Sequence, residues 1–160
     1  MIDTTLNDSL CRASWTSRPG SFVSLMTLYE SNYIRLRQLL GNLRDLPDEQ
    51  VSQLTSDCPL HAHVDERSRY TTTLTLTYRF VEADVVVSDP DLQVRVYHDA
   101  CLGEAMRFMR WHRHPVLTNL QFGARQHQAS RVLDERWQRN IMLNKWLDYC
   151  VERGHSFAAR

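Results

Sequence analysis

The chain has 160 residues, 42% hydrophobic and 24% charged, and its 19 basic and 19 acidic side chains leave no formal net charge. That length supports one domain with its own core, and the neutral balance speaks against a bulk electrostatic grip on nucleic acid or an anionic membrane. The N-terminus MIDTTLNDSL lacks a basic and apolar leader pattern, no run reaches membrane-spanning length, and Cys11, Cys58, Cys101 and Cys150 form no C-x-x-C pair, so a soluble cytoplasmic chain with free thiols is expected.

Residues 1–20 have no sustained period and end in Ser17-Arg18-Pro19-Gly20, which reads as a mobile tail. Phe22, Leu25, Met26, Tyr29, Tyr33, Leu36 and Leu40 then recur at spacings of three and four, the apolar stripe of an amphipathic helix. Ser21 is its natural N-cap and Gly41 its stop. Three segments with a period of two follow: PLHAHVDE, RYTTTLTLTYRF and DLQVRVY. In the second, Tyr70, Thr72, Leu74, Leu76, Tyr78 and Phe80 share one face, while Thr71, Thr73, Thr75, Thr77 and Arg79 share the other. Such strands are covered on one side and wet on the other. Shorter strands are expected at Val51–Leu54 and Val85–Val87, with Asp89-Pro90 breaking the chain after the latter.

After Tyr97 the apolar spacing of Leu102, Ala105, Met106 and Met109 predicts a short helix with Asp99 as N-cap. The segment RWHRHPVLTNLQFGARQHQ is irregular and reads as a surface loop. Ser130 then caps a last helix to about Arg153, ended by Gly154. Its stripe is Leu133, Trp137, Asn140, Asn144, Leu147 and Val151, with Leu143, Trp146 and Cys150 alongside. Grouped strands with helices outside them predict an α+β domain over residues 21–155, followed by a tail at 156–160. Its antiparallel meander sheet of three to five strands packs against an N-terminal, a short middle and a long C-terminal helix.

The run Val94-Arg95-Val96-Tyr97-His98-Asp99-Ala100-Cys101 concentrates reactive side chains. A thiol in the first turn of the short helix, three residues from His98, is the nucleophilic reading. The charge of Asp99 opposes a thiolate and no glycine-rich oxyanion hole accompanies it, so a packed, inert Cys101 is expected. His61-x-His63 and His112-x-His114, completed by Asp65 or His127, could in principle bind metal. Seven histidines produce such spacings by chance, however, and no metal or other cofactor is expected. Arg107, Arg110, Trp111, Arg113, Arg125, Arg131 and Arg136 mix basic and aromatic character, but with zero net charge they read as a solvated helix face rather than a nucleic-acid site. Arg69, Arg79, Arg95 and Tyr97 join the threonines of the sheet in a polar surface able to hold an anion, although threonine ladders are also good strand formers. No phosphate loop, G-x-S-x-G, H-E-x-x-H or dinucleotide fingerprint is present.

The helix LMTLYESNYIRLRQLL, the strand SRYTTTLTL, the junction VRVYHDA and the final DERWQRNIMLNKWLDYCVERG together resemble the YqiB-like family, proteobacterial proteins with a domain of unknown function. The resemblance covers roughly residues 22–154 and implies a cytoplasmic bacterial protein without an established activity. Cys101 stands where the family has an aliphatic residue or methionine. The segment VLTNLQFGARQHQASRVL replaces a tyrosine-rich one, and the paired histidines are not part of the pattern. The matching polar positions are Arg69, Tyr70, Tyr97, His98, Asp99, Asp134 and Asn140. Asp99 is expected to cap a helix, worth about 1 kcal/mol, Asn140 to satisfy a buried backbone group, and Arg69 to pair with Asp134 or Glu135. A non-enzymatic regulatory or adaptor domain is expected, binding a protein partner or small anionic ligand through Arg69, Arg95, Tyr97 and His98. The alternative is a small enzyme acting on a nucleotide or phosphorylated metabolite, with His98 as general acid/base and Asp99 orienting it. A homodimer burying Trp146 or the threonine-rich face is a third reading.

Overall fold

The computed structural model describes residues 21–107 and 131–157, and the expected tail at 1–20, the loop after Arg107 and residues 158–160 lie outside them. Helix α1 (Phe22–Leu40) begins where Ser21 Oγ accepts the Ser24 N–H at 3.2 Å, and ends at Gly41, whose φ of +80° closes the last turn onto Arg37 O. Five strands follow: β1 (Glu49–Leu54), β2 (Asp57–Arg67), β3 (Thr71–Glu82), β4 (Val85–Tyr97) and β5 (Leu102–Arg107). They form one antiparallel sheet in the order β1-β2-β3-β4-β5. Helix α2 (Arg131–Arg153) completes the domain, and Gly154, with φ of +98°, turns the chain away from it. Neither helix is long and apolar enough to cross a membrane.

Both helices lie on one face of the sheet. Leu60, Leu74, Leu76, Leu92 and Val94 point into it, and Leu36 and Leu39 of α1 meet Leu143, Trp146 and Leu147 of α2 above them, all fully buried. Trp146 packs edge-on against Tyr78, ring centroids 5.2 Å apart at 75°. Buried inside its own chain, Trp146 is not a surface on which a second copy could dock.

Two expectations about local structure are corrected. Val85–Val87 is not a separate strand, because β4 runs on through Asp89-Pro90. Proline has no N–H to give a ladder, and the pairing accommodates it with a register shift between Thr77 and Arg79, which face Asp91 and Ser88 on either side of Asp89-Pro90. The short middle helix is also absent. Residues 98–101 form a turn in which Cys101 has φ of +54°, and Leu102–Arg107 is the edge strand β5. The inward positions of β5 are Gly103 and Ala105, buried and alternating with half-buried Leu102, Glu104 and Met106. Small inward residues hid the period of two, so the larger side chains mimicked a helical spacing. Asp99 therefore caps nothing, and Cys101 sits at no helix N-terminus.

The small residues serve a close approach. A Cβ on Gly103 would lie 2.8 Å from Leu36 Cδ1 and 3.2 Å from the backbone nitrogen of Tyr33. Gly103→Val is therefore expected to cost about 1–3 kcal/mol by overpacking, read as a lower urea midpoint. As the edge strand, β5 has outward backbone groups to satisfy, and an asparagine chain from both helices does so. Asn32 Nδ2 donates to Gly103 O at 3.2 Å and to Asn140 Oδ1 at 3.1 Å, and Asn140 Oδ1 accepts the Ala105 N–H at 2.8 Å. Asn144 Nδ2 donates to Asn32 Oδ1 at 3.0 Å and to Ser31 Oγ at 2.9 Å. A sheet edge is thus closed by side-chain amides.

Candidate functional site

Strand alternation divides the charged and hydroxyl side chains between two faces. On the face away from the helices, Thr75 Oγ1 donates to Asp65 Oδ2 at 2.7 Å, and Gln93 Nε2 to the same oxygen at 3.2 Å. Thr77 Oγ1 donates to Asp91 Oδ1 at 2.6 Å, and Arg95 Nε to Thr73 Oγ1 at 3.2 Å. Tyr97 donates to Glu104 Oε2 at 2.9 Å, while Tyr29 reaches from α1 to Glu104 Oε1 at 3.0 Å. Burial first, and then the Glu104 carboxylate, push both phenols above their ordinary range. These tyrosines are hydrogen-bond donors that fasten α1 to the sheet, not acids poised to lose a proton.

Across β1 to β4 the same face holds a groove of about 400 Å³. Thr75 and Thr77 form its floor, with His61, His63 and Asp65 on the β2 side, Glu49 and Val51 on the β1 side, and Asp91 on β4. His63 Nδ1 lies 3.4 Å from Glu49 Oε1 and its Nε2 3.8 Å from Asp65 Oδ1. His61 is held below its ordinary pKa by burial and then by the Arg79 guanidinium, so its ring is neutral at pH 7. Arg79 also lines the groove and is exposed. It makes no ion pair or side-chain hydrogen bond among the described residues. No group of three or more histidine, cysteine, aspartate or glutamate side chains among the described residues is arranged to hold a metal.

The four residues expected to form one ligand site are divided. Arg95 and Tyr97 share the polar face. His98 follows Tyr97 in the alternation and so turns to the other side, where it is 6% exposed. Its Nε2 lies 2.8 Å from Thr72 Oγ1, its backbone N–H donates to Tyr70 O at 2.9 Å, and burial, followed by the charge of Arg44, lowers its pKa. Arg69 stands in the β2–β3 turn over the ring of Tyr70, 5.2 Å from its centroid, and pairs with neither Asp134 nor Glu135 among the described residues. Asp99 is exposed and paired with Arg44 at 3.0 Å. Cys101 Sγ makes a 3.6 Å contact with His98 O and is likewise exposed. Asn140 closes the β5 edge.

One polar constellation had no sequence signal. His155 Nδ1 lies 3.0 Å from Ser52 Oγ, and its Nε2 3.5 Å from Asp57 Oδ2. Asp57 Oδ2 also accepts the Tyr78 hydroxyl at 3.1 Å, and Arg153 Nε stands 3.4 Å away. A serine, a histidine and an aspartate in this order suggest a nucleophile relay, but the surroundings oppose it. The His155 side chain has no exposure, Ser52 is 7% exposed, and its Oγ already accepts the Ser156 N–H at 3.3 Å. No substrate carbonyl reaches such a hydroxyl. The set is a tether that fixes the chain beyond α2 to the β1–β2 hairpin, reinforced by the Phe157 N–H donating to Leu39 O at 2.8 Å. The three positions are too far apart in sequence for spacing to reveal them.

Comparison with known proteins bears on the whole sheet. The family model described as "Protein of unknown function (DUF1249)" matches residues 35–156, from the second half of α1 through α2. Proteins named "Uncharacterized protein YqiB" from Escherichia coli strain K12 and from the O6:H1 and O157:H7 strains are each 33% identical over 136 residues, covering 83% of this chain and 90% of the relative. No solved structure matches the chain.

Proposed function

This chain belongs to the DUF1249 family of proteins of unknown function, and from that starting point we propose that it is a cytoplasmic, non-enzymatic regulatory domain whose groove on the polar sheet face binds a small ligand carrying an acidic group. The observation that carries the reading is Arg79. Among the described residues it is the one fixed cation lining a cleft of about 400 Å³, a volume in the range of small-molecule sites, and it has no partner among them. A guanidinium offers a planar fork of donors suited to a carboxylate or phosphate. The neutral His61 ring adds hydrogen-bonding capacity beside it, whereas the hydroxyls of Thr75 and Thr77 already donate to Asp65 and Asp91.

Binding is favoured over catalysis because the polar groups of this face spend their hydrogen bonds on one another. The alternative, a small enzyme acting on a nucleotide or phosphorylated metabolite with His98 as general acid/base, draws no support from a histidine 6% exposed and engaged with Thr72. Arg95 and Tyr97 remain on the ligand-facing side but at its β5 end, so Arg79 replaces them as the anchor.

Titration with acetate, inorganic phosphate and free amino acids, followed by amide NMR shifts, tests the reading. Shifts clustered at Thr75, Thr77 and Arg79 are expected, with affinity reduced about tenfold or more in Arg79→Gln, the loss of one charge-assisted contact of roughly 1.5–3 kcal/mol. Shifts confined to the Arg95–Tyr97 end, or an unchanged Arg79→Gln titration, would reject it.

A further inference from the structure

We infer that strand β1 is a dimerisation edge, which takes the same strand of a second copy of this chain, antiparallel about a two-fold axis at Val51. The two sheets then run on as one, whatever the groove binds. The sequence treats the two outermost strands differently. At β5 the outward backbone groups of Gly103 and Ala105 are taken by Asn32 and Asn140. At β1 no described side chain does this, and β2 is its one neighbour in the sheet. An exposed strand edge is a template for another strand, and chains that stay apart blunt it with lysine, proline or a bulge. β1 reads Glu49-Gln50-Val51-Ser52-Gln53-Leu54 and has neither lysine nor proline. The register shift at its end takes the extra residue from β2, since Ser52 to Leu54 spans two steps where Leu60 to Asp57 spans three. β1 itself stays regular.

The phase of the ladder decides which backbone groups are free. The Val64 N–H donates to Asp48 O at 2.8 Å. In antiparallel alternation the bonded pairs are then Asp48–Val64, Gln50–Ala62 and Ser52–Leu60. The N–H and C=O groups of Glu49, Val51 and Gln53 therefore point out of the sheet, and none of them has a backbone partner among the described residues. Pairing about Val51 sets Val51 opposite its own copy and Glu49 opposite Gln53 of the second copy. All three positions are then bonded ones, so amides and carbonyls meet in register along the whole edge.

The side chains match in the same register, which is what favours a second copy over an unrelated strand. Glu49, Val51 and Gln53 alternate onto the polar face and are exposed, Val51 at 47%. At the axis two β-branched side chains cover each other. His63 stands at Glu49 Oε1, leaving Oε2 to accept the Gln53 amide of the second copy, and symmetry repeats the bond. No like charges face each other across the axis. The two-fold of an antiparallel pair is normal to the sheet, so both grooves open on one side of the dimer and the helices lie on the other. A six-residue strand gives about 20 Å of shared ladder. That is a small interface, with dissociation in roughly the micromolar range or weaker.

Sedimentation equilibrium of the full chain from about 10 µM to about 1 mM should show a reversible monomer–dimer equilibrium. The Val51 amide should be protected from hydrogen exchange only where the dimer dominates. Val51→Lys, which sets two ammonium groups face to face at the axis, should abolish the dimer over the whole range and keep the urea midpoint. Gln53→Glu opposes Glu49 of the second copy twice and should weaken association about tenfold or more. Gln53→Lys should associate more tightly than Gln53→Glu, with the gap closing in about 1 M salt. A chain still monomeric at the highest concentration overturns the edge as an interface. A dimer that Val51→Lys leaves intact does so too, since its contacts then lie elsewhere. A Val51 amide equally protected at every concentration gives the edge to another segment of this chain and likewise overturns it. Equal association of the two Gln53 variants overturns the register about Val51.

Discussion

Asn140→Leu is expected to lower the unfolding free energy by about 3 kcal/mol and to release the Ala105 amide to rapid hydrogen exchange. Leucine and asparagine are close in volume, so the change opens little cavity, and the cost comes from polar groups left alone. Asn140 Oδ1 accepts the Ala105 N–H at 2.8 Å and an Asn32 Nδ2 hydrogen at 3.1 Å, both bonds buried. Removing that one oxygen strands two donors, each costing about 1–3 kcal/mol when no water replaces the partner. Asn144→Leu removes donors rather than an acceptor. It leaves Asn32 Oδ1 and Ser31 Oγ without that contact, and the hydroxyl keeps a donor in Arg35 at 2.7 Å. Its penalty should therefore be smaller. Urea titration of the two variants gives the ranking, and exchange at Ala105 locates the effect. A loss below about 1 kcal/mol for Asn140→Leu would mean that β5 does not depend on the amide for its outer edge.

The same edge explains what could be read in the sequence. Long apolar stripes with caps were legible, since Ser21, Gly41 and Gly154 stand where the helix ends are. Strands with bulky inward residues were legible too: Leu74 and Leu76 against Thr73 and Thr75 state their two faces directly. β5 was not, because Gly103 and Ala105 are inward yet small, chosen for the approach of α1 rather than for hydrophobicity. A period is visible only when its apolar phase carries large side chains. The same error moved Asp99 and Cys101 onto a helix that does not exist.

The site was half legible for a related reason. Polar residues at alternate positions of β3 and β4 are assigned a face by counting, and that places Thr73, Thr75, Thr77, Arg79, Arg95 and Tyr97 together. Counting equally puts His98 on the opposite face from Tyr97, and grouping the two by adjacency in sequence ignored it. Arg79 was named with the threonine face but not singled out, because a free cation is recognised only once its neighbours' partners are known. Asp65 and Asp91 are tied to threonines, and that pairing is a property of register. The Ser52–Asp57–His155 tether depends on register at a further remove, on where the chain lands after Gly154.

Stability should fall as the pH is lowered from about 7.5 toward 5, with His155 and His98 as the principal causes. Burial lowers the pKa of both rings, partly offset at His155 by Asp57 and at His98 by Asp99, and His61 shifts the same way. In the unfolded chain these imidazoles take up a proton near pH 6.5. Between that value and the depressed folded value the unfolded state binds more protons, so the unfolding free energy decreases with falling pH. The stabilisation is fully present above the unfolded pKa and is lost through that window. Each such histidine contributes at most about 1.4 kcal/mol per pH unit. His155 has the stronger structural reason, with a side chain of no exposure wedged among Ser52, Asp57 and Tyr78, whose ring centroid is 5.5 Å away. His155→Gln should flatten the urea-midpoint profile between pH 7 and 5 while lowering stability at pH 7.5. His98→Gln should remove a second, separate part of the slope, the two sites being distant enough to add. Carboxylates whose charged form the fold favours would give the same sign of slope, so the variants decide the origin. A profile unchanged in the double variant would assign the pH dependence to carboxylates instead, and would mean that the fold takes up protons at these rings as readily as the unfolded chain does.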